Sequence, residues 1–217
     1  MAGEKPGELE SDRVTRTLRD DILSGRRAPG SRLIERDIAA ELDVSRLPVR
    51  EAIRRLVAEG VVVSRPRTWA TVRVFTTDDV QQLGELREAI ESLMFELATV
   101  RADAEGLALV RAALEQEERA AAAGDLEAAH LAADAFHTAA VTMAGNEMLV
   151  EAMRVFSTRL RMLFAQHSDA GGMLDEHREI YLAMEAGDVE RVRSLVTPHL
   201  FAGRASAEER VRRLATG

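Results

Sequence analysis

The 217-residue chain contains no cysteine, so it can form no disulfide bond and offers no thiolate to a metal ion. It also contains no run of 18 apolar residues, which excludes an ordinary transmembrane helix. The first ten residues, MAGEKPGELE, are polar and acidic and lack the apolar core of a signal peptide. We therefore expect a cytoplasmic protein with no membrane partner.

The charge of the chain is unevenly distributed. The formal net charge is −8, but residues 1–76 hold 15 basic and 12 acidic residues, whereas residues 77–217 hold 14 and 25. Residues 44–73 contain seven arginines and two glutamates, which gives a local net charge of +5. This asymmetry indicates a nucleic-acid-binding module joined to a different domain, although a solvated basic surface would carry the same charge.

The first 75 residues have the pattern of a winged helix-turn-helix. Apolar residues spaced by three or four predict helices, and valine-rich runs bounded by polar residues predict strands. The predicted elements are helices over 12–24, 34–42 and 45–60 and a β-hairpin made of 61–63 and 70–74. Ser45 is a suitable N-cap for the third helix. We assign residues 10–75 to this DNA-binding domain and residues 76–79 to a linker.

The remainder of the chain, residues 80–213, predicts an all-α antiparallel bundle of about six helices, so the fold class is mainly α. The glycine of Gly124-Asp125 and of Gly187-Asp188 is suited to end a helix, and the aspartate to cap the next one. Gly171-Gly172 indicates a further break, and Pro198 predicts either a bend in the last helix or its start. The predicted helices lie near 78–101, 103–122, 125–144, 147–167, 172–186 and 188–213.

Arginines on the third helix are the strongest candidates for DNA recognition. Arg46, Arg50 and Arg54 are spaced by four and share one face of the helix that would enter the major groove, where arginine reads guanine. The alternative is that they only solvate this face, with Glu51 as an ion-pair partner. Further contacts to phosphates or to the minor groove are predicted for Arg36, Ser45, Arg65 and Arg67.

The segments Pro29–Leu33, Val44–Ile53 and Glu59-Gly60 resemble the DNA-binding domain of GntR-family transcriptional regulators. The resemblance covers residues 12–75. It implies that four residues contact operator DNA: Arg36, Ser45, Arg46 and Arg50.

Two residues depart from the family pattern in this domain. Leu47 stands where the family usually has threonine, so a hydroxyl contact is lost or replaced by an apolar contact with DNA. Trp69 stands where the wing usually carries glycine. Both departures concern which operator sequence is bound, and neither argues against DNA binding.

Residues 78–212 resemble the FCD (FadR C-terminal domain) subfamily. The resemblance is carried by Leu86–Glu91, Phe136-His137, Gly145-Asn146, Glu176-His177, Gly187-Asp188 and His199-Leu200. It implies a domain for effector binding and dimerisation that holds a metal on three histidines. His137, His177 and His199 lie on three different predicted helices, and three converging imidazoles can hold a divalent ion such as zinc or nickel.

The fourth metal ligand is open. The subfamily usually has an aspartate four residues before the first histidine, and here that position is Ala133. Asp134, His130 on the same helix face as His137, or water could take its place. It is also possible that no metal binds and that the histidines contact the effector directly.

Effectors of the subfamily are commonly small carboxylates, which pair with the planar guanidinium of arginine. The resemblance implies Arg87 as the first candidate, and the further candidates are Asn146, Arg159 and Arg161. The alternative for Arg87 is an ion pair within its own helix, with Glu91 at i+4.

Together these observations predict a transcriptional regulator, not an enzyme. We expect a homodimer that binds a two-fold-related operator as a repressor and responds to a carboxylate effector. Two alternatives stand beside it. A metalloenzyme would need an open metal position and a general base, and no H-E-x-x-H motif is present. A metal-responsive regulator would bind no organic effector.

Overall fold

A computed structural model describes residues 8–65, 68–164 and 170–216. The chain divides into two compact units between Val74 and Phe75. In the described part of the chain, no helix is both long and apolar enough to cross a membrane.

The N-terminal unit contains the predicted three helices and hairpin. Its elements are α1 (Glu10–Leu23), β1 (Arg32–Leu33), α2 (Glu35–Glu41), α3 (Arg46–Ala58), β2 (Val62–Val63) and β3 (Ala70–Val72). Strand β1 was not predicted, because two residues are too few to show an alternating pattern. It pairs antiparallel with β3, with Leu33 opposite Ala70, and β2 pairs with the other edge of β3, with Val62 opposite Val72. The sheet order is therefore β1-β3-β2.

The core of the N-terminal unit fixes the orientation of α3. Val14 and Leu18 of α1 and Val49 and Leu56 of α3 are completely buried. Asp43, between α2 and α3, adopts a positive φ of 52°, which aspartate tolerates better than most residues and which makes a tight turn possible. The opposite face of α3 is thereby left on the surface.

The C-terminal unit is the predicted helical bundle. Its elements are α4 (Thr77–Val100), α5 (Ala104–Ala123), α6 (Leu126–Met143), α7 (Glu147–Phe164), α8 (Ala170–Glu185) and α9 (Val189–Thr216). Gly124 and Gly187 both have a φ of +69°, and the aspartate after each accepts a hydrogen bond from the amide three residues later, at 3.0 and 2.9 Å. The two predicted glycine-aspartate turns are therefore confirmed.

Three details differ from the sequence expectation or decide between its alternatives. Gly171-Gly172 does not precede α8 but lies in its first turn, where amide groups need no partner within the helix and glycine is tolerated. Residues 77–79 already belong to α4, and Thr76 caps this helix in a reciprocal capping box with Asp79. Pro198 lies within α9, which continues through it, so the last helix does not begin there.

Candidate functional site

Helices α6, α8 and α9 bring His137, His177 and His199 together inside the bundle. One ring nitrogen of each lies within 4.8 Å of those of the other two. The ring centroids are separated by 4.8 to 5.5 Å, and the rings of His177 and His199 are buried. A shared site requires the three histidines to converge from three separate helices, and the structure shows this convergence.

Each histidine faces a carboxylate through its Nδ1 atom. The distances are 3.0 Å from His137 to Glu91 Oε2, 2.8 Å from His177 to Glu117 Oε2 and 2.7 Å from His199 to Glu176 Oε2. The contact of His137 is at hydrogen-bond distance but is not aligned as a hydrogen bond. A carboxylate at Nδ1 favours the tautomer that keeps its proton there, which leaves a lone pair on Nε2.

Burial controls the charge of these groups. Burial lowers the pKa of His177, against the opposing effect of its hydrogen bond with Glu117, so its imidazole is neutral near neutral pH. Burial also opposes ionisation of Glu91. Interactions with Arg87 and His137 outweigh this effect and lower the pKa of Glu91 to about 2. The site therefore combines a neutral imidazole at His177 with an ionised carboxylate at Glu91.

A cavity of about 310 Å³ adjoins the histidines, a volume within the range of small-molecule sites. Arg87, Arg154 and Arg161 contribute positive charge to its wall, and Asp134 contributes a carboxyl group. Hydroxyl groups line it as well, from Thr138, Thr142 and Ser157. The cavity therefore offers hydrogen-bond donors and positive charge beside the imidazoles.

Arg87 joins the cavity to the histidine cluster. Its side chain is nearly buried, and its Nε atom donates to Glu91 Oε1 at 2.8 Å. Its guanidinium carbon lies 5.0 Å from the ring centroid of Phe164, a cation–π distance. The ion pair within α4 that was the alternative for Arg87 is therefore present, on a side chain that also lines the cavity.

The outward face of α3 forms the candidate DNA-recognition surface of the other unit. The exposed residues at its start and along this face are Ser45, Arg46, Leu47, Arg50 and Arg54. Leu47 is 62% exposed, a high value for leucine. Ser45 occupies the N-cap position and is exposed, but among the described residues its side chain makes no capping hydrogen bond.

Other predicted DNA contacts lie around this surface. Arg36, at the start of α2, is highly exposed, and its Nε atom is 3.0 Å from Asp37 Oδ1. Arg65 and Trp69 are exposed between β2 and β3. Arg67 lies outside the described residues.

Comparison with known proteins identifies both units. Residues 10–72 match the family described as bacterial regulatory proteins, gntR family, and residues 82–202 match the FCD domain. The chain belongs to the GntR family of bacterial regulators. This GntR-family chain is 32% identical over 209 residues to a D-xylose utilization operon transcriptional repressor from Paenarthrobacter nicotinovorans, covering 90% of this chain and 91% of the relative.

Solved structures agree with this assignment. A GntR transcriptional regulator from Rhodococcus sp. RHA1 matches with a TM-score of 0.76 and 32% identity, covering 91% of this chain and 96% of that one. McbR/YncC from E. coli matches with a TM-score of 0.80 at 22% identity, covering 94% and 99%, which shows the fold alone. GntR regulators bind operator DNA and are not enzymes, so the predictions of a regulator and of a non-enzymatic role are confirmed.

Asp134 and His130, the proposed fourth metal ligands, are not part of the described histidine cluster, and their role as ligands stays a prediction. Among the described residues, the group of converging ligand atoms contains neither Asp134 nor His130. Asp134 lines the cavity, but its Oδ2 atom lies 3.5 Å from Arg161 Nε, and burial raises the pKa of this carboxyl group. Ala133, at the position where the family usually has aspartate, also lines the cavity.

The four proposed effector contacts divide into two pairs. Arg87 and Arg161 line the cavity, whereas Asn146 and Arg159 are not among the described residues that form its wall. Asn146 instead accepts a hydrogen bond from the amide of Leu149 at 3.2 Å, which caps the start of α7.

Sequence reasoning missed the carboxylates and one cavity arginine. Glu176 directly precedes His177, and Glu91 follows Arg87 by four, so both carried a local signal that was not linked to the histidines. Glu117 and Arg154 gave no such signal. Glu117 lies 60 residues before His177 in sequence and meets it only because α5 packs against α8.

Proposed function

We propose that this GntR-family protein is a repressor whose operator affinity is controlled by a small carboxylate effector. In this proposal a divalent metal ion, zinc or nickel, is held by His137, His177 and His199. The observation that carries the proposal is the convergence of three imidazoles that each have a carboxylate at Nδ1.

The donor set fits a metal ion. Zinc bound to imidazole at about 2.1 Å needs nitrogens about 3.4 Å apart, so limited movement of the rings from their present separation suffices. The Nε2 atom of His177 is buried, and within the described residues it has no hydrogen-bond partner. A buried polar atom without a partner is costly and needs an explanation, and a metal ion supplies one. Once bound, the ion would provide a Lewis-acidic centre that a carboxylate oxygen can ligate.

The cavity wall supports a small carboxylate as the effector. Arg87, Arg154 and Arg161 can pair with carboxylate oxygens that do not reach the metal ion. Because Ala133 offers no ligand atom, we propose that water or the effector completes the coordination. Asp134 then serves as a partner of Arg161 at the cavity wall.

We also propose that the protein acts as a homodimer on a two-fold-related operator. Two copies of α3 would then enter the major groove at half-sites set by the dimer. Effector binding relieves repression if the effector has a higher affinity for the dimer that does not bind DNA, which is the condition for allosteric coupling. Light scattering of the protein alone and footprinting on DNA test the dimer and the symmetry of its site.

Elemental analysis of the purified protein tests the metal site. We expect close to one metal ion per chain in the wild type and a large loss in His177→Ala and His199→Ala, because each removes one of three ligands. His130→Ala is the control, since this histidine lies outside the converging group. Metal content near zero in the wild type would refute the metal site and leave a pocket for the effector alone.

Mobility shifts on a duplex that the wild type selects from a random library test the recognition helix. Arg46→Ala and Arg50→Ala should each weaken binding by between about 5-fold and 150-fold. Arg55→Ala is the control, because Arg55 lies on the same helix but pairs with Asp12 of α1. Unchanged shifts for both test variants would contradict the assignment of α3.

A thermal-shift screen tests the effector class. Small carboxylates should raise the melting temperature of the metal-loaded protein, and the same compounds should have less effect on protein treated with a chelator. Stabilisation by metal but by no carboxylate would favour the metal-responsive alternative.

A further inference from the structure

One carboxylate beside the candidate DNA-recognition surface contacts two arginines of α3, Arg46 and Arg50. Glu35 is the first residue of α2, and its Oε2 atom accepts a hydrogen bond from Arg46 Nη2 at 3.0 Å. Arg50 donates two further bonds to Glu35, from Nε to Oε1 and from Nη2 to Oε2, both at 3.0 Å. These contacts link the two helices of the helix-turn-helix through functional side chains.

The carboxylate of Glu35 contacts Arg50 from the side. It binds the edge of the guanidinium that carries Nε and Nη2. The end of the guanidinium, formed by Nη1 and the second hydrogen of Nη2, points along the side chain and carries the two parallel N–H groups that read O6 and N7 of guanine. Arg50 can therefore keep its contact with Glu35 while it reads a base.

The contribution of Glu35 to folding does not explain its position. Its side chain is 27% exposed and those of its partners are more exposed, and ion pairs in such positions contribute little to stability. A negative charge beside DNA phosphates also opposes binding to any sequence. The hydrogen bonds from Arg50 and Arg46 outweigh burial and lower the pKa of Glu35, so the charge is present at neutral pH.

We propose that Glu35 is a positioning residue that gives this protein much of its sequence specificity. It holds Arg50 in the orientation that reads a base and restrains Arg46, so less side-chain freedom is lost on binding to the correct sequence. Its charge also weakens the attraction of both arginines to phosphates. This inference rests on the proposed role of α3 in DNA recognition.

The readout that tests the proposal is the ratio of two affinities. One is the affinity for a duplex that the wild type selects from a random library, and the other is the affinity for a scrambled duplex of the same composition. Glu35→Gln should lower this ratio by about tenfold or more, the scale of one well-formed base contact. The affinity for the scrambled duplex should rise, because one negative charge is lost near the phosphates.

Glu41→Gln is the matched control. Glu41 also lies on α2, and its substitution removes the same charge, but its partner is Arg27, which is not on α3. This variant should leave the affinity ratio within about twofold of the wild type, since no base contact is disturbed. An equal fall of the ratio in both variants would show that charge alone acts and would overturn the positioning role.

Glu35→Asp and Arg50→Ala complete the test. The aspartate keeps the charge but is one methylene shorter, so Glu35→Asp should also lower the affinity ratio below that of the wild type. A ratio equal to that of the wild type would overturn the proposal. In an Arg50→Ala background, Glu35→Gln should have much less effect on the ratio than in the wild type.

The outcomes separate this inference from the proposed function. If Arg50→Ala does not weaken binding to the selected duplex, the assignment of α3 fails and this inference fails with it. If Arg50→Ala weakens binding but Glu35→Gln leaves the ratio unchanged, only the role of Glu35 is overturned. Melting temperatures of all variants show whether each one is folded.

Discussion

In both units of the chain a carboxylate contacts a candidate functional side chain, but the two contacts lie in opposite environments. In the N-terminal unit Glu35 holds Arg50 on the surface, and the arginine keeps a side-chain exposure of 46%. In the C-terminal unit Glu117 holds His177 where the side-chain exposures are 0% and 1%. The same chemical device therefore has different energetic consequences in the two places.

Solvent decides what each pair contributes. Water screens the surface pair, so its loss costs the fold little free energy. In the interior a lost partner leaves a charge or a donor that water cannot reach, so loss of the pair destabilises the unit. The surface pair therefore contributes mainly to the orientation of Arg50, whereas the buried pair contributes to stability as well.

We expect the largest loss of stability when one partner is removed from the buried pair of Arg87 and Glu91, whose side-chain exposures are 9% and 3%. Arg87→Met should lower the free energy of unfolding by about 3–5 kcal/mol, because the buried carboxylate of Glu91 loses its main counter-charge. Urea unfolding followed by circular dichroism, with a chelator present, measures the change.

The surface pair provides the contrast for that measurement. Glu35→Gln should change the same free energy by less than about 1 kcal/mol. Similar losses in the two variants would show that burial does not distinguish the pairs.

The next effect concerns the buried histidine. Glu117→Gln should weaken metal binding by about 10-fold to 100-fold, because the amide is a poorer acceptor for the Nδ1 proton of His177. Glu176→Gln should have a smaller effect, since the side chain of Glu176 is 43% exposed and water can replace it at His199. Competition with a chromophoric chelator measures both affinities. Equal losses would contradict the role given to burial.

The smallest effect concerns Leu47, the exposed apolar side chain at the start of α3. If Leu47 contacts the methyl group of a thymine, replacing that thymine by deoxyuridine should weaken binding by about 0.8 kcal/mol, the value of one buried carbon group. Mobility shifts on selected duplexes with single substitutions measure it. Leu47→Ala should be insensitive to the same replacement, and a wild type that tolerates every such replacement would argue against a methyl contact.

Periodic elements of this chain were predictable from sequence, because their signals are local. The apolar stripe of α3 around Val49 and Leu56 and the turns at Gly124 and Gly187 depend on residues a few positions apart, and the structure contains all of them. The three histidines were predicted as a group because a family resemblance supplied the pairing that local patterns lack.

The contacts that were not predicted from the sequence depend on packing between segments that are distant along the chain. Nothing local indicates that Glu117 would meet His177 or that Glu35 would bridge Arg46 and Arg50, since each contact needs the angle between two helices. Asn146 shows a role that the sequence prediction did not include. Its oxygen accepts a capping hydrogen bond at the start of α7, and its contact with an effector stays a prediction.

Helix α4 has a mechanical consequence. It begins at Thr77, three residues after the last residue of the N-terminal unit, and its first turn is locked by the capping box of Thr76 and Asp79. Arg87 and Glu91 lie on the same uninterrupted helix, and Glu91 is about 20 Å along its axis from Thr77. An effector that displaced either side chain would therefore act on the same helix whose first residue lies three positions after the N-terminal unit.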